Sequence, residues 1–301
     1  TEISCKVRIR DIDIFFGIFR CEDAKQKGLI YNMSSAADLP AQDLVIYSDG
    51  SITPQSSVAL GKEYTFNLLL YTEFTKCTWF EVALIQSSML DKCYINSTTQ
   101  NQDNYSLRNS KSNVLFASFG NGSEVYAKQF QKYVKADITA VNGVFKFVTF
   151  LEEDIDKWFD ILSTEADRLT QDKSKILNIF IEDPQLLLFM KDCDEDDVIS
   201  KLAKLNKTGN VYIIAPSDKS LIQPSELPND LATIYTSFIF KLLHRSNLIV
   251  RLQPLKTGRA DDITGELVIN KGLVDHTKLQ VLEREYLYVI GKEGSVKLFY
   301  R

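Results

Sequence analysis

From Asp43 onward the chain alternates short apolar runs with stretches of helical periodicity, and this alternation limits its fold more than any other feature. Phe66–Tyr71, Val114–Phe119, Phe145–Phe150, Ile176–Ile181 and Val211–Ile214 read as strands, and Leu44–Tyr47 as a candidate edge strand. Trp79–Leu90 reads as an apolar helix and Glu124–Val134 as a short one. Glu152–Leu169 is the clearest amphipathic helix, with Ile155, Trp158, Phe159, Leu162, Ala166 and Leu169 at helical spacing and three acids at its start. Apolar strands alternating with helices make βαβ units, hence a mainly parallel sheet covered on both faces. From about Ile234 strand signals take over, at Leu248–Leu252, Gly265–Ile269, Leu279–Leu282, Tyr286–Ile290 and Val296–Tyr300.

The expected fold class is therefore α/β: a RecA-like, mainly parallel sheet with helices on both faces and antiparallel strands at the C-terminal edge. Another doubly wound nucleotide-binding fold fits nearly as well. Residues 42–301 form the expected domain. Residues 1–41 read as an N-terminal extension. Met33 followed by small residues resembles a translation start, while the apolar stretch Ile12–Phe19 also suits an added strand or interaction tail. Asn96–Asn113, rich in Asn, Ser, Gln and Thr, is expected to be a mobile loop.

Composition removes several function classes. The net charge of -5 argues against coating nucleic acid through bulk charge. Five dispersed cysteines with no CxxC spacing favour reduced thiols and an intracellular compartment. Two histidines, His244 and His276, give a zinc site or a His-based triad little material. No apolar run reaches spanning length, so no membrane role is expected. No GxGxxG turn follows any strand, which leaves a dinucleotide enzyme unsupported.

The turn after Phe66–Tyr71 is the informative absence. An active RecA-type ATPase places a Gly-rich turn with Lys and Ser/Thr there, so that backbone N–H groups cradle phosphate. Here the turn is Thr72-Glu73-Phe74-Thr75-Lys76-Cys77-Thr78, without glycine. Lys76 and Thr78 are a weak echo of the motif. Ile176–Ile181 followed by Glu182 and Asp183 resembles the strand and acid that hold magnesium and water in such enzymes. Asp183 with Pro184 also reads as a helix N-cap and first-turn proline. No metal site is expected: the acidic run Asp192–Asp197 lacks calcium-loop spacing and reads as a solvated helix start. Local basic positions are few. Lys219 lies in the loop after Val211–Ile214, and Lys256 and Arg259 flank Gly258 on an exposed turn.

Pro254–Ile269, with its Lys256-Thr257-Gly258-Arg259 turn, and the C-terminal runs Glu285–Val289 and Lys297–Arg301 resemble the sixth-subunit family of the eukaryotic Elongator complex. The likeness extends over roughly Gln42–Arg301 and includes Gln42–Asp49 and Ile181–Leu187. That family consists of RecA-like subunits without the phosphate-binding loop. The resemblance implies a non-catalytic subunit that joins two paralogous RecA-like partners in a hetero-hexameric ring. The ring would dock on the larger Elongator subunits and bind tRNA, in support of carboxymethyl-type modification at position 5 of the wobble uridine. It implies a cytoplasmic protein with the nucleus as a second compartment. No cofactor is expected, with ATP admitted only at a subunit interface. In such rings the loops holding Lys219, Lys256 and Arg259 meet RNA. The alternative reading is an independent, divergent RecA-like ATPase.

Overall fold

The computed structural model describes residues 40–54, 63–75, 77–96, 112–135, 144–150, 154–190, 193–222, 230–255 and 262–301. Nine strands form one sheet: β1 (Phe66–Tyr71), β2 (Ser112–Ser118), β3 (Phe145–Thr149), β4 (Ile176–Glu182), β5 (Asn210–Pro216), β6 (Leu248–Gln253), β7 (Gly265–Lys271), β8 (Arg284–Ile290) and β9 (Val296–Tyr300). Their order across the sheet is β3-β2-β4-β5-β1-β6-β7-β8-β9. Strands β1 to β6 pair in parallel, with Phe66 opposite Val211 and Asn67 opposite Leu248. Strands β7, β8 and β9 add on antiparallel. This is the mainly parallel sheet with an antiparallel C-terminal edge that the alternation implies, and it is consistent with a RecA-like fold.

Helices α1 (Thr78–Leu90) and α2 (Ser123–Tyr133) cover one face. Helices α3 (Ile155–Leu169), α4 (Glu195–Leu205) and α5 (Leu231–Leu243) cover the other. Helix α1 is buried nearly all round, as an apolar helix against the centre of a sheet must be. Helix α3 buries only the stripe through Trp158, Phe159, Leu162, Ala166 and Leu169. Asp154 caps it by accepting from the Asp156 and Lys157 amides, an interaction worth about 1 kcal/mol. Central strands are buried on both faces because helices lie on each, so their sequences are apolar without alternation.

Three expectations need correction. Leu44–Tyr47 is not a strand; only isolated bridges form around it, from Gln42 to Leu298 of β9 and from Tyr47 to Val281 outside the sheet. The signal came from Leu44, Ile46 and Tyr47, which are buried in the core beside α1. Leu279–Leu282 likewise contributes only the bridge at Val281. The stretch from about Ile234, read as the opening of a β-rich region, belongs instead to α5 (Leu231–Leu243) as far as Leu243. Its β-branched and aromatic residues misled by propensity, yet Tyr235, Phe238, Ile239 and Leu242 recur at helical spacing and are all buried.

Asn96–Asn113 lies outside the described residues except for Asn96 and for Ser112 and Asn113, which open β2. The acidic run does start a helix: Asp194 caps α4, and Glu195 and Asp196 hold Lys241 of α5. The N-terminal extension lies outside the described residues apart from Pro40 and Ala41.

Candidate functional site

The carboxyl ends of β1, β2, β4 and β5 meet at one edge, where open α/β sheets bind their ligands. The turn after β1 is filled by its own chain. The Thr75 amide donates to Thr72 O at 2.8 Å, and the Thr72 amide donates to the Thr75 hydroxyl at 2.9 Å. The Glu73 amide donates to the Asp218 carboxylate at 3.0 Å. The Thr72, Glu73 and Thr75 amides of this turn are thus already engaged, one of them by a carboxylate. Thr78 opens α1, while Lys76 lies outside the described residues.

Behind this turn sits a buried acid that sequence reasoning missed. Glu81 lies in the first turn of α1 and is 0% exposed. Its Oε1 accepts from the Cys77 thiol at 2.9 Å. Glu182, the last residue of β4, accepts from the Ser118 hydroxyl and from Asn121 Nδ2 at 3.4 Å. The Tyr126 hydroxyl adjoins both carboxylates, with its ring packed on Phe116 at 4.4 Å between centroids. The one charged residue in the mostly apolar run Trp79–Leu90 was the signal for Glu81.

These carboxyls are held well off their usual range. Burial, reinforced by the Glu182 charge, pushes Glu81 up to about 8. Burial also raises Glu182, against the opposing pull of the Ser118 hydroxyl. Two like charges in one dry place cannot both ionise cheaply, so the pair retains a proton at neutral pH. Burial and the facing Glu81 push the Cys77 thiol well up, which makes it a hydrogen-bond donor and not a nucleophile.

Asp183 does not cap the following helix through its side chain, contrary to expectation. It adopts a left-handed backbone, φ 56 and ψ 44, ahead of the 3-10 helix Pro184–Phe189. Its Oδ1 accepts from the Tyr71 hydroxyl at 2.7 Å and from Gln185 Nε2 at 3.0 Å. That links β1 to β4, and the left-handed turn directs the carboxylate there instead of toward the helix amides. The structure thus gathers Glu182 and Asp183 with Tyr71, Glu81, Ser118, Asn121 and Tyr126.

Lys219 is exposed in the turn after β5; Lys256 and Arg259 lie outside the described residues. Among the described residues no cluster of three metal-ligating side chains occurs, and no helix is long and apolar enough to cross a membrane. Chemically the edge disfavours phosphate: Glu73, Asp183 and Asp218 stand around it against the one amine of Lys219 in these described turns.

No family model matches the chain. The chain is similar to Elongator complex protein 6 of Saccharomyces cerevisiae. The two are 27% identical over 277 residues, an alignment taking in 86% of this chain and 98% of the yeast protein. The likeness therefore extends over most of the chain and is not confined to one motif.

Proposed function

We propose that this chain is a non-catalytic subunit of an Elongator complex. In this reading it assembles with two paralogous RecA-like subunits into a hetero-hexameric ring, docks on the larger Elongator subunits, and supports modification of the tRNA wobble uridine. The observation that carries the reading is the alignment spanning nearly all of the yeast Elongator protein. The strand-end site agrees with it. A turn whose Thr72, Glu73 and Thr75 amides are taken by its own threonines and by Asp218, with Glu81 and Glu182 sharing a proton behind it, supports a subunit that builds no nucleotide site by itself. A divergent ATPase working alone gains no support from that chemistry, and ATP is admitted only where a neighbouring subunit supplies the phosphate contacts.

Binding of tRNA falls to local cations, since the chain as a whole is acidic. Lys219 is exposed, and Lys256 with Arg259 follow β6 in the sequence. Each would meet phosphates and carry little base specificity. The assembled ring works in the cytoplasm, with the nucleus as a second compartment. Purifying the tagged chain from its own cells and identifying its partners tests this: the account expects the other Elongator subunits in stoichiometric amount, and recovery of the chain alone contradicts it.

A further inference from the structure

Large apolar side chains stand in water along the carboxyl edge. Phe74 in the β1 turn is 81% exposed and Phe189 on the 3-10 helix 52%; Leu186, Leu221 and Leu231 join them. With Val125 at the start of α2, six of the eleven exposed large apolar residues among those described fall at this end. They are not scattered singles, and a grouped set of this kind marks an interaction surface.

The same edge is rich in acceptors and poor in donors. Both hydrogen bonds to Asp183 fall on Oδ1. Oδ2 looks toward Gly120, where an added Cβ would stand 3.8 Å away, so glycine leaves the approach open. Gln185, 7% exposed, donates to Asp183, yet its own Oε1 meets no donor. An unmatched buried amide oxygen is unfavourable until a donor arrives. The left-handed backbone of Asp183 means the carboxylate is held in place against its own backbone preference. Free acceptors, an acidic surround and an apolar rim call for a planar cation carried on an apolar protein surface. A guanidinium has that form, with several N–H donors in one plane. A phosphate backbone has the opposite charge.

We propose that the carboxyl edge of β1, β4 and β5 is a docking surface for a neighbouring protein subunit, which sets an arginine against Asp183 and Gln185 and packs apolar side chains on Phe74 and Phe189. The proposal rests on the subunit reading above for the identity of that neighbour.

The chain is co-expressed with the two paralogous RecA-like Elongator subunits of the same organism, and the assembly is measured by native mass spectrometry and titration. Phe74→Ser with Phe189→Ser, and separately Asp183→Asn, alter the edge. Asp183→Asn tolerates the left-handed backbone and still accepts from Tyr71. Leu273→Ser with Val274→Ser, exposed at the opposite end of the strands, is the control. Both edge variants should weaken assembly at least tenfold; Phe74→Ser with Phe189→Ser should leave the unfolding midpoint of the lone chain unchanged, and Asp183→Asn should also flatten the salt dependence of assembly; the control should assemble like wild type. Edge variants that assemble like wild type overturn the docking surface alone. Edge variants that lose tRNA binding with assembly intact also overturn it, and give the edge to RNA. A wild-type chain that assembles with neither subunit overturns the subunit reading itself, and the docking proposal with it.

Discussion

The Tyr71 hydroxyl donates to Asp183 Oδ1 at 2.7 Å, tying the end of β1 to the left-handed residue after β4. The two strands are not neighbours, since β5 lies between them, so this bond spans the edge that an ATPase of this fold would give to nucleotide. Burial and the adjacent Asp183 charge hold the hydroxyl firmly protonated, so it serves as a fixed donor. Tyr71→Phe should lower stability by about 1.5–3 kcal/mol, the usual range for a bond to a charged group. Chemical denaturation measures it, and a variant as stable as wild type would show the link to be incidental.

Stability should fall as pH rises from about 4.5 to about 8. Glu81 is raised from near 4.5 to about 8 in the folded state, so across that window the folded chain holds a proton that the unfolded chain has lost. The contribution is complete below the unfolded value and gone above the folded one. Glu81→Gln keeps the shape and removes the titration. It should flatten this slope and be more stable than wild type at pH 8, by on the order of a few kcal/mol. Unfolding midpoints at pH 5, 6.5 and 8 decide it, and parallel profiles for the two proteins would refute the shared proton.

Removing Lys297–Arg301 deletes β9. The buried side chains of Leu298 and Phe299 are removed, the β8 ladder is exposed, and the mostly buried Glu266 loses its ion pair with Arg301 at 3.1 Å. Two buried apolar side chains alone are worth about 3–6 kcal/mol, a large share of a domain's net stability. The truncated chain should fail to fold or to assemble. Circular dichroism and native mass read the two outcomes, and a truncated chain that assembles at its expected mass contradicts the expectation.

The purified chain alone should not bind ATP. The Thr72, Glu73 and Thr75 amides are engaged, and the nearby charges are mostly negative. Isothermal titration should show no binding at micromolar ATP, and saturable heat there would mean the turn rearranges.

The sheet was legible in the sequence because burial on both faces leaves unbroken apolar runs such as Ile176–Ile181. Helix α5 was not, since its β-branched residues favour strands locally and only packing against the sheet decides otherwise. Glu182 and Asp183 were legible as a pair, but their roles were not. What they do depends on Tyr71, Ser118 and Tyr126, which lie far off in sequence and meet only when β1, β2 and β4 come together. Glu81 was in view as the one acid of an apolar helix, but helical spacing does not reveal that every face of α1 is covered.

The most direct test of the central claim is the wobble uridine itself. Nucleoside mass spectrometry of tRNA from cells lacking this chain should show loss of the carboxymethyl-type group at position 5, restored when the chain is returned. Unchanged levels of that modified uridine in the deletion would contradict a role in Elongator.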